Sequence, residues 1–240
     1  MDSSPAHVLI TGGTGYIGSR LIPRLLARGH GVSALVRPQS QGRLPAGCEA
    51  VPGDALDAAS YRDRVKPATT FVQLVGVAHP NPAKAAEFRS IDLAAGREAV
   101  AAACYAGIQH FVYVSVAQPA PMMKAYQEVR AECESAIHSS GLHATILRPW
   151  YVLGPGHRWP YVLIPAYWLF EKLPSTREGA RRLGLVTLEQ MLQTLTQAIA
   201  SPAPNVRVLG VPEIRQGGCL RPDTHETRIK SDRNRLLKQR

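Results

Sequence analysis

The stretch Val8-Leu9-Ile10-Thr11-Gly12-Gly13-Thr14-Gly15-Tyr16-Ile17-Gly18 constrains the fold of this chain more than any other. Three apolar residues, Val8 to Ile10, read as a short buried strand. Gly12, Gly15 and Gly18 follow at three-residue spacing. Ile17, Leu21, Ile22, Leu25 and Leu26 then recur with helical period. Strand, glycine turn and helix in that order make a cradle for a pyrophosphate. Glycine permits positive φ and carries no Cβ, so an anion can approach the main chain. The N–H groups and dipole of the helix N-terminus then face it. The alternative is a tight turn that binds nothing. The placement between a strand and a helix favours the cradle.

Downstream the chain alternates. The first helix is predicted from about Gly15 to Arg28, with a local kink at Pro23. Strands follow at Val32–Val36, Ala50–Val51, Thr70–Val77, 106–115 and His143–Leu147. Helices are predicted over Ala55–Val65, over 82–106 and over Met123–Ser140. Thr187-Leu-Glu-Gln190 reads as a capping box opening a helix to Ala200, before a last strand from Val206 to Val211. Strict β-α alternation predicts a parallel sheet with helices on both faces, and ligands at the carboxyl ends of the strands. Gly12, Arg37, Gly76 and Ser115 all fall at such ends.

The glycine spacing is Gly-x-x-Gly-x-x-Gly. Thr11 to Gly18 resembles the opening of the extended and atypical short-chain dehydrogenase/reductases, including their epimerase/dehydratase-like and NmrA-like branches. The segment Arg130-Ala-Glu-Cys-Glu-Ser-Ala-Ile-His-Ser-Ser-Gly-Leu-His-Ala-Thr-Ile-Leu-Arg-Pro149 is similar to the same family. The resemblance covers about residues 7–212. It implies one Rossmann-type α/β domain, a doubly wound parallel sheet with a small C-terminal cap at about 150–185, and an NAD(P)-dependent oxidoreductase. It implies a cofactor held by Gly12, Thr14, Gly15, Tyr16, Ile17 and Gly18, by Asp54 and Ala55 near the adenine, by Val75 and Gly76 after the fourth strand, and by Pro149. Asp54 reads equally as a helix N-cap.

Arg37 stands nineteen residues after Gly18. An acid near this point suits a ribose 2′-hydroxyl, and an arginine suits a 2′-phosphate. NADP(H) is therefore expected ahead of NAD(H), with Arg43 assisting. The other reading of Arg37 is a solvated surface residue.

The resemblance assigns the chemistry to Tyr126 as proton donor, Ser115 as the hydroxyl that orients a carbonyl, and Arg130 as the neighbouring cation. The family's usual residue at Arg130 is lysine. Tyr126 and Arg130 lie one helical turn apart. A nearby cation favours phenolate, but a guanidinium is planar and larger than an ammonium. Two readings stay open. One is reduction of a small hydrophobic carbonyl or quinone; the other is a non-catalytic cofactor-binding sensor or assembly factor.

Trp150, Tyr151, Trp159, Tyr161, Tyr167, Trp168 and Phe170 form an aromatic run. It reads as an apolar lid, with a core or dimer surface and a peripheral membrane patch as alternatives. The chain has 240 residues, 45% of them hydrophobic and 19% charged, which predicts a folded domain and not a disordered segment. Its net charge is +10, and residues 213–240 hold eight Lys/Arg against four Asp/Glu. That tail is expected to be flexible. No helix-turn-helix or RNA-binding aromatic motif accompanies the charge, so nucleic acid is not the expected partner. Cys48, Cys104, Cys133 and Cys219 are widely spaced, which argues against a zinc site or disulfide framework and for a reducing cytoplasm. No signal peptide or membrane-spanning run is read from the sequence. A monomer or homodimer is expected.

Overall fold

A computed structural model describes residues 5–155 and 182–217. Seven strands form one sheet in the order β3-β2-β1-β4-β5-β6-β9. They are β1 (His7–Thr11), β2 (Gly31–Val36), β3 (Glu49–Pro52), β4 (Thr70–Gln73), β5 (His110–Val114), β6 (Ala144–Leu147) and β9 (Val206–Leu209). Every pairing is parallel. All the carboxyl ends therefore share one edge, and the strand order reverses direction between β1 and β4. A second, two-stranded parallel sheet pairs β7 (Tyr151–Leu153) with β8 (Leu185–Thr187).

The two-residue period of the strands divides the core. Leu9, Phe71, Phe111, Tyr113 and Ile146 pack on one face with α3 (Ala94–Ala106) and α4 (Lys124–Ser139). Val8, Ile10, Val72, Val112 and Leu147 pack on the other with α1 (Gly18–Leu26) and α5 (Leu188–Ala200). Phe71 and Phe111 stack at 5.4 Å between ring centres. Both faces are covered, as a parallel sheet requires. Thr187 and Gln190 form the capping box of α5. β9 ends at Leu209, and Val211 opens the short helix α6 (Val211–Arg215) rather than closing the strand.

Other expectations are corrected too. The predicted helix Ala55–Val65 is two short 3-10 turns, Ala58–Ser60 and Arg62–Arg64. Asp54 accepts from the Leu56 amide, Asp57 from the Ala59 amide, and Ser60 bonds the backbone at Asp54 and Asp57. These local side-chain bonds compete with the helical ladder. The strand predicted over Thr70–Val77 stops at Gln73, because Leu74 and Val75 pack under the glycine turn. The helix predicted over 82–106 is broken into a 3-10 turn (Pro82–Lys84), the single helical turn α2 (Ala85–Glu87), a π turn (Phe88–Leu93) and α3. The first helix starts at Gly18, with Ile17 at its cap, and contains Pro23. Of the aromatic run only Trp150 and Tyr151 lie within the described residues, as does only the start of the basic tail. Among the described residues no helix is long and apolar enough to cross a membrane.

One buried histidine gives the fold a measurable pH dependence. His110 on β5 lies 3.0 Å from Thr145 Oγ1, which also accepts from Arg207. Burial, then the Arg207 charge, push its pKa down to about 4. An unfolded imidazole titrates near 6.5, so between pH 6.5 and 4 only the unfolded chain takes up this proton, and stability rises with pH. This residue should account for roughly 2–3 kcal/mol lost on acidification across that window. Thermal unfolding of His110→Asn should show a flatter pH dependence there than wild type. Parallel curves would exclude His110 as the cause.

Candidate active site

The glycine turn is built as a close approach of three backbones. Gly12 has φ +74°, a left-handed conformation that favours glycine. A Cβ on it would lie 3.0–3.1 Å from the Leu74 carbonyl and the Val75 nitrogen. Gly15 N–H donates to the Gly12 carbonyl at 3.0 Å. A methyl on Gly18 would overlap that same carbonyl oxygen, so α1 can seat on the turn only without a side chain there. Thr14 is half-buried and Gly15 exposed at the lip. Tyr16 is half-buried beside it. Its hydroxyl lies against Gly154, and the Arg20 guanidinium sits 4.6 Å over its ring.

Arg37 follows β2, and Arg43 ends the 3-10 segment Pro38–Arg43. Both are exposed. Asp54 is exposed after β3, with its carboxylate on the Leu56 amide, and Ala55 packs on the core beside it. Val75 and Gly76 follow β4. Pro149 is buried after β6, and its carbonyl accepts from Ala117 at 2.8 Å.

The chemical half is built from buried side chains on α4. Arg130 is 6% exposed. Its Nη1 donates to the Tyr113 hydroxyl (3.1 Å) and the Val114 carbonyl (3.0 Å), and its Nη2 to Asp92. Burial opposes its charge, but Tyr113, Tyr126 and Asp92 hold its pKa above the ordinary value, so the guanidinium stays ionised. Burial drives the Tyr113 hydroxyl well above the usual phenol range, so Tyr113 stays neutral. Tyr126 is half-buried. Its ring lies 4.9 Å from Phe88, and the Arg130 guanidinium is 4.9 Å from its centre. Among the described residues no hydrogen bond holds its hydroxyl.

Ser115 follows β5 and is 3% exposed. Its hydroxyl donates to Glu134, one turn beyond Arg130 on α4. The same carboxylate accepts from Gln118 (3.1 Å) and from Arg148 through Nε (3.1 Å) and Nη2. Gln127, beside Tyr126, accepts from the Ala120 amide at 2.8 Å and donates to the Ala120 and Met122 carbonyls. The loop between Ser115 and Tyr126 is thereby stitched to α4.

A family described as NAD(P)H-binding matches residues 12–163. The chain belongs to the NAD(P)H-binding family. Its cofactor is a nicotinamide dinucleotide, and its fold is that of the extended and atypical short-chain dehydrogenase/reductases. The chain is 32% identical to a 3-diazoavenalumate denitrifying reductase of a Streptomyces species, over 62% of this chain and 57% of that protein. It is 28% identical to a ceramide reductase of Caulobacter vibrioides, over 62% of this chain and 47% of that protein. The chain thus spans about half the length of these curated relatives. A short-chain dehydrogenase/reductase superfamily protein from Agrobacterium tumefaciens, solved with bound NAD, superposes with a TM-score of 0.61 at 16% identity, covering 85% of this chain and 77% of that one.

The residues present fit a member of this family. The cradle leaves no room for a side chain at Gly18, crowds one at Gly12, and exposes Gly15 beside the N-terminus of α1. Of the sequence-derived site residues, Gly12, Thr14, Gly15, Arg37, Asp54, Val75, Gly76, Ser115 and Pro149 gather at one edge of the sheet. Tyr126 and Arg130 approach each other from α4. Asp92, Glu134, Arg148 and Gln127 were not read from the sequence. Glu134 carried a signal, since it lies on the helix row of Val129, Arg130, Cys133 and Ile137, where a buried acid needs partners.

The turn can be tested directly. Gly18→Ala should displace it and weaken NADPH binding by about tenfold or more, the scale of one lost charge-assisted hydrogen bond. Far-UV circular dichroism should be unchanged. Undiminished binding in a folded variant would remove the turn from the cofactor site.

Proposed function

We propose that this chain binds NADP(H) ahead of NAD(H) and reduces a small apolar carbonyl or quinone, with Tyr126 as proton donor. The observation that carries the reading is the setting of Tyr126. Its ring is fixed between Phe88 and Arg130, while its hydroxyl has no partner among the described residues. A phenol so placed is oriented yet available to a ligand. The bound nicotinamide would supply the hydride. The glycine turn would hold the pyrophosphate, and Arg37 with Arg43 would face a 2′-phosphate. Both curated relatives are named reductases, one for 3-diazoavenalumate and one for ceramide, which supports reduction without fixing the substrate.

A second reading rests on a specific observation. The Ser115 hydroxyl donates a hydrogen bond to Glu134, and Arg130 is paired with Asp92. Two of the three residues assigned to chemistry thus have internal partners. That arrangement suits a protein that binds the cofactor without turnover and reports its redox state.

Titration with NADPH and NADH, followed by cofactor fluorescence, tests the first step. NADPH should bind at least about tenfold tighter, and Arg37→Ala should remove most of the difference, as loss of a charged hydrogen bond would. NADPH oxidation with 9,10-phenanthrenequinone tests the second. Tyr126→Phe should lower turnover by about 100-fold, within the range for a general acid, and leave the NADPH Kd in place. Undiminished turnover would defeat the proton-donor role. Cofactor binding with no turnover, and a partner captured in one redox state only, would favour the second reading.

A further inference from the structure

Asp92 lies in the π turn Phe88–Leu93, with its side chain fully enclosed. π turns are rare and insert an extra residue into a helix. This one points Phe88, Asp92 and Leu93 inward. Phe88 and Asp92 are four residues apart, as are Tyr126 and Arg130 on α4. The two pairs meet as a block. Phe88 packs on Tyr126, Asp92 pairs with Arg130, and the Arg130 guanidinium lies over the Tyr126 ring. The second oxygen of Asp92 accepts the Val77 N–H at 3.0 Å, tying the block to the loop that leaves β4. Gly76 makes room for this, since a Cβ there would lie 2.5 Å from Arg130 Nη2 and 2.8 Å from Asp92 Oδ1.

We propose that Asp92 is a positioning residue: through Arg130 and Val77 it fixes the Tyr126 ring and the Gly76–Val77 loop to each other, and so sets where Tyr126 meets a bound substrate. The proposal rests on Tyr126 being the proton donor. It also reassigns Arg130. A guanidinium that is almost wholly enclosed and bonded to Asp92, Tyr113 and Val114 is a bolt between elements and not a ligand for the cofactor. Arg130→Lys is expected to fail as a replacement, because an ammonium on a single stem cannot span those three acceptors in one plane.

The test compares Asp92→Ala, Asp92→Asn and Arg130→Lys in the full chain. Asp92→Ala should speed amide exchange at Val77 and across 88–93 by about tenfold or more, and leave residues 12–18 unchanged. Its kcat with NADPH and 9,10-phenanthrenequinone should fall by about 10- to 100-fold, the scale of a misplaced catalytic group, while the NADPH Kd stays within about threefold. Asp92→Asn keeps the shape but only one acceptor oxygen, so it can hold Val77 or Arg130 and not both, and it should recover only part of that kcat; it also serves if Asp92→Ala does not fold. A tenfold weaker NADPH Kd in folded Asp92→Asn or Arg130→Lys would overturn the proposal by placing the pair on the cofactor. Unchanged exchange and kcat in Asp92→Ala would overturn it too. Wild-type protein that turns over no quinone defeats the reductase reading and the positioning role with it, whereas wild-type turnover matched by Asp92→Ala defeats the positioning role alone.

Discussion

The ion pair between Asp92 and Arg130 is the interaction on which the carboxyl edge of the sheet depends. Both charges are out of water, which costs several kcal/mol per ion unless partners replace the lost hydration. Here they do. Tyr113 and the Val114 carbonyl take two guanidinium bonds, and the Val77 amide takes the second carboxylate oxygen. These partners come from four elements: the π turn, the loop after β4, the end of β5 and α4. Loss of either charge would strand the other, at about 3–5 kcal/mol. A pair of this kind contributes less to net stability than to uniqueness of arrangement: few other packings of these elements satisfy both ions.

The site is built from two materials. The glycine-turn half is main chain: glycines at Gly12, Gly15 and Gly18, and the start of α1. Little there depends on a side chain, so its character lies in what is missing. The chemical half is the reverse. Two buried acids, Asp92 and Glu134, each hold an arginine; Asp92 also takes the Val77 amide and Glu134 the Ser115 hydroxyl, and Arg130 and Glu134 lie one turn apart on α4. The parallel sheet makes the two halves adjacent, because the segment leaving β4 passes both under Gly12 and over the Asp92–Arg130 pair. Leu74 and Val75 touch the first, and Gly76 and Val77 the second.

This division explains what was legible in the sequence. Strand, glycine turn and helix over Val8–Leu26 follow from local rules, as does the Thr187 capping box, and the β-α alternation dictates the parallel order. The failures are local too, but competitive. Asp54, Asp57 and Ser60 bind nearby backbone and prevent the helix expected over Ala55–Val65. Asp92 was invisible for another reason. It lies 38 residues from Arg130, and its inward aim depends on a π turn that no periodicity of 3.6 anticipates. Ser115 stood at the expected strand end, but the sequence could not say that its hydroxyl donates to Glu134, 19 residues on.

The arginine at position 130 then ceases to be an isolated departure. A lysine offers a compact ammonium on a flexible stem; an arginine offers donors spread in one plane. The acceptors here are spread in the same way, with a phenol oxygen and a carbonyl on one side and a carboxylate on the other. Arg130 is therefore matched to Asp92, and each would be out of place without the other. Gly76 belongs to the same match, because any side chain there would enter the space that the guanidinium and carboxylate fill. The cation that resemblance places beside the phenol is present, but the carboxylate that anchors it also cancels much of its field. Whatever Tyr126 does, it does against a nearly neutral, rigid bed, where orientation by packing and not a free charge is what its neighbours supply.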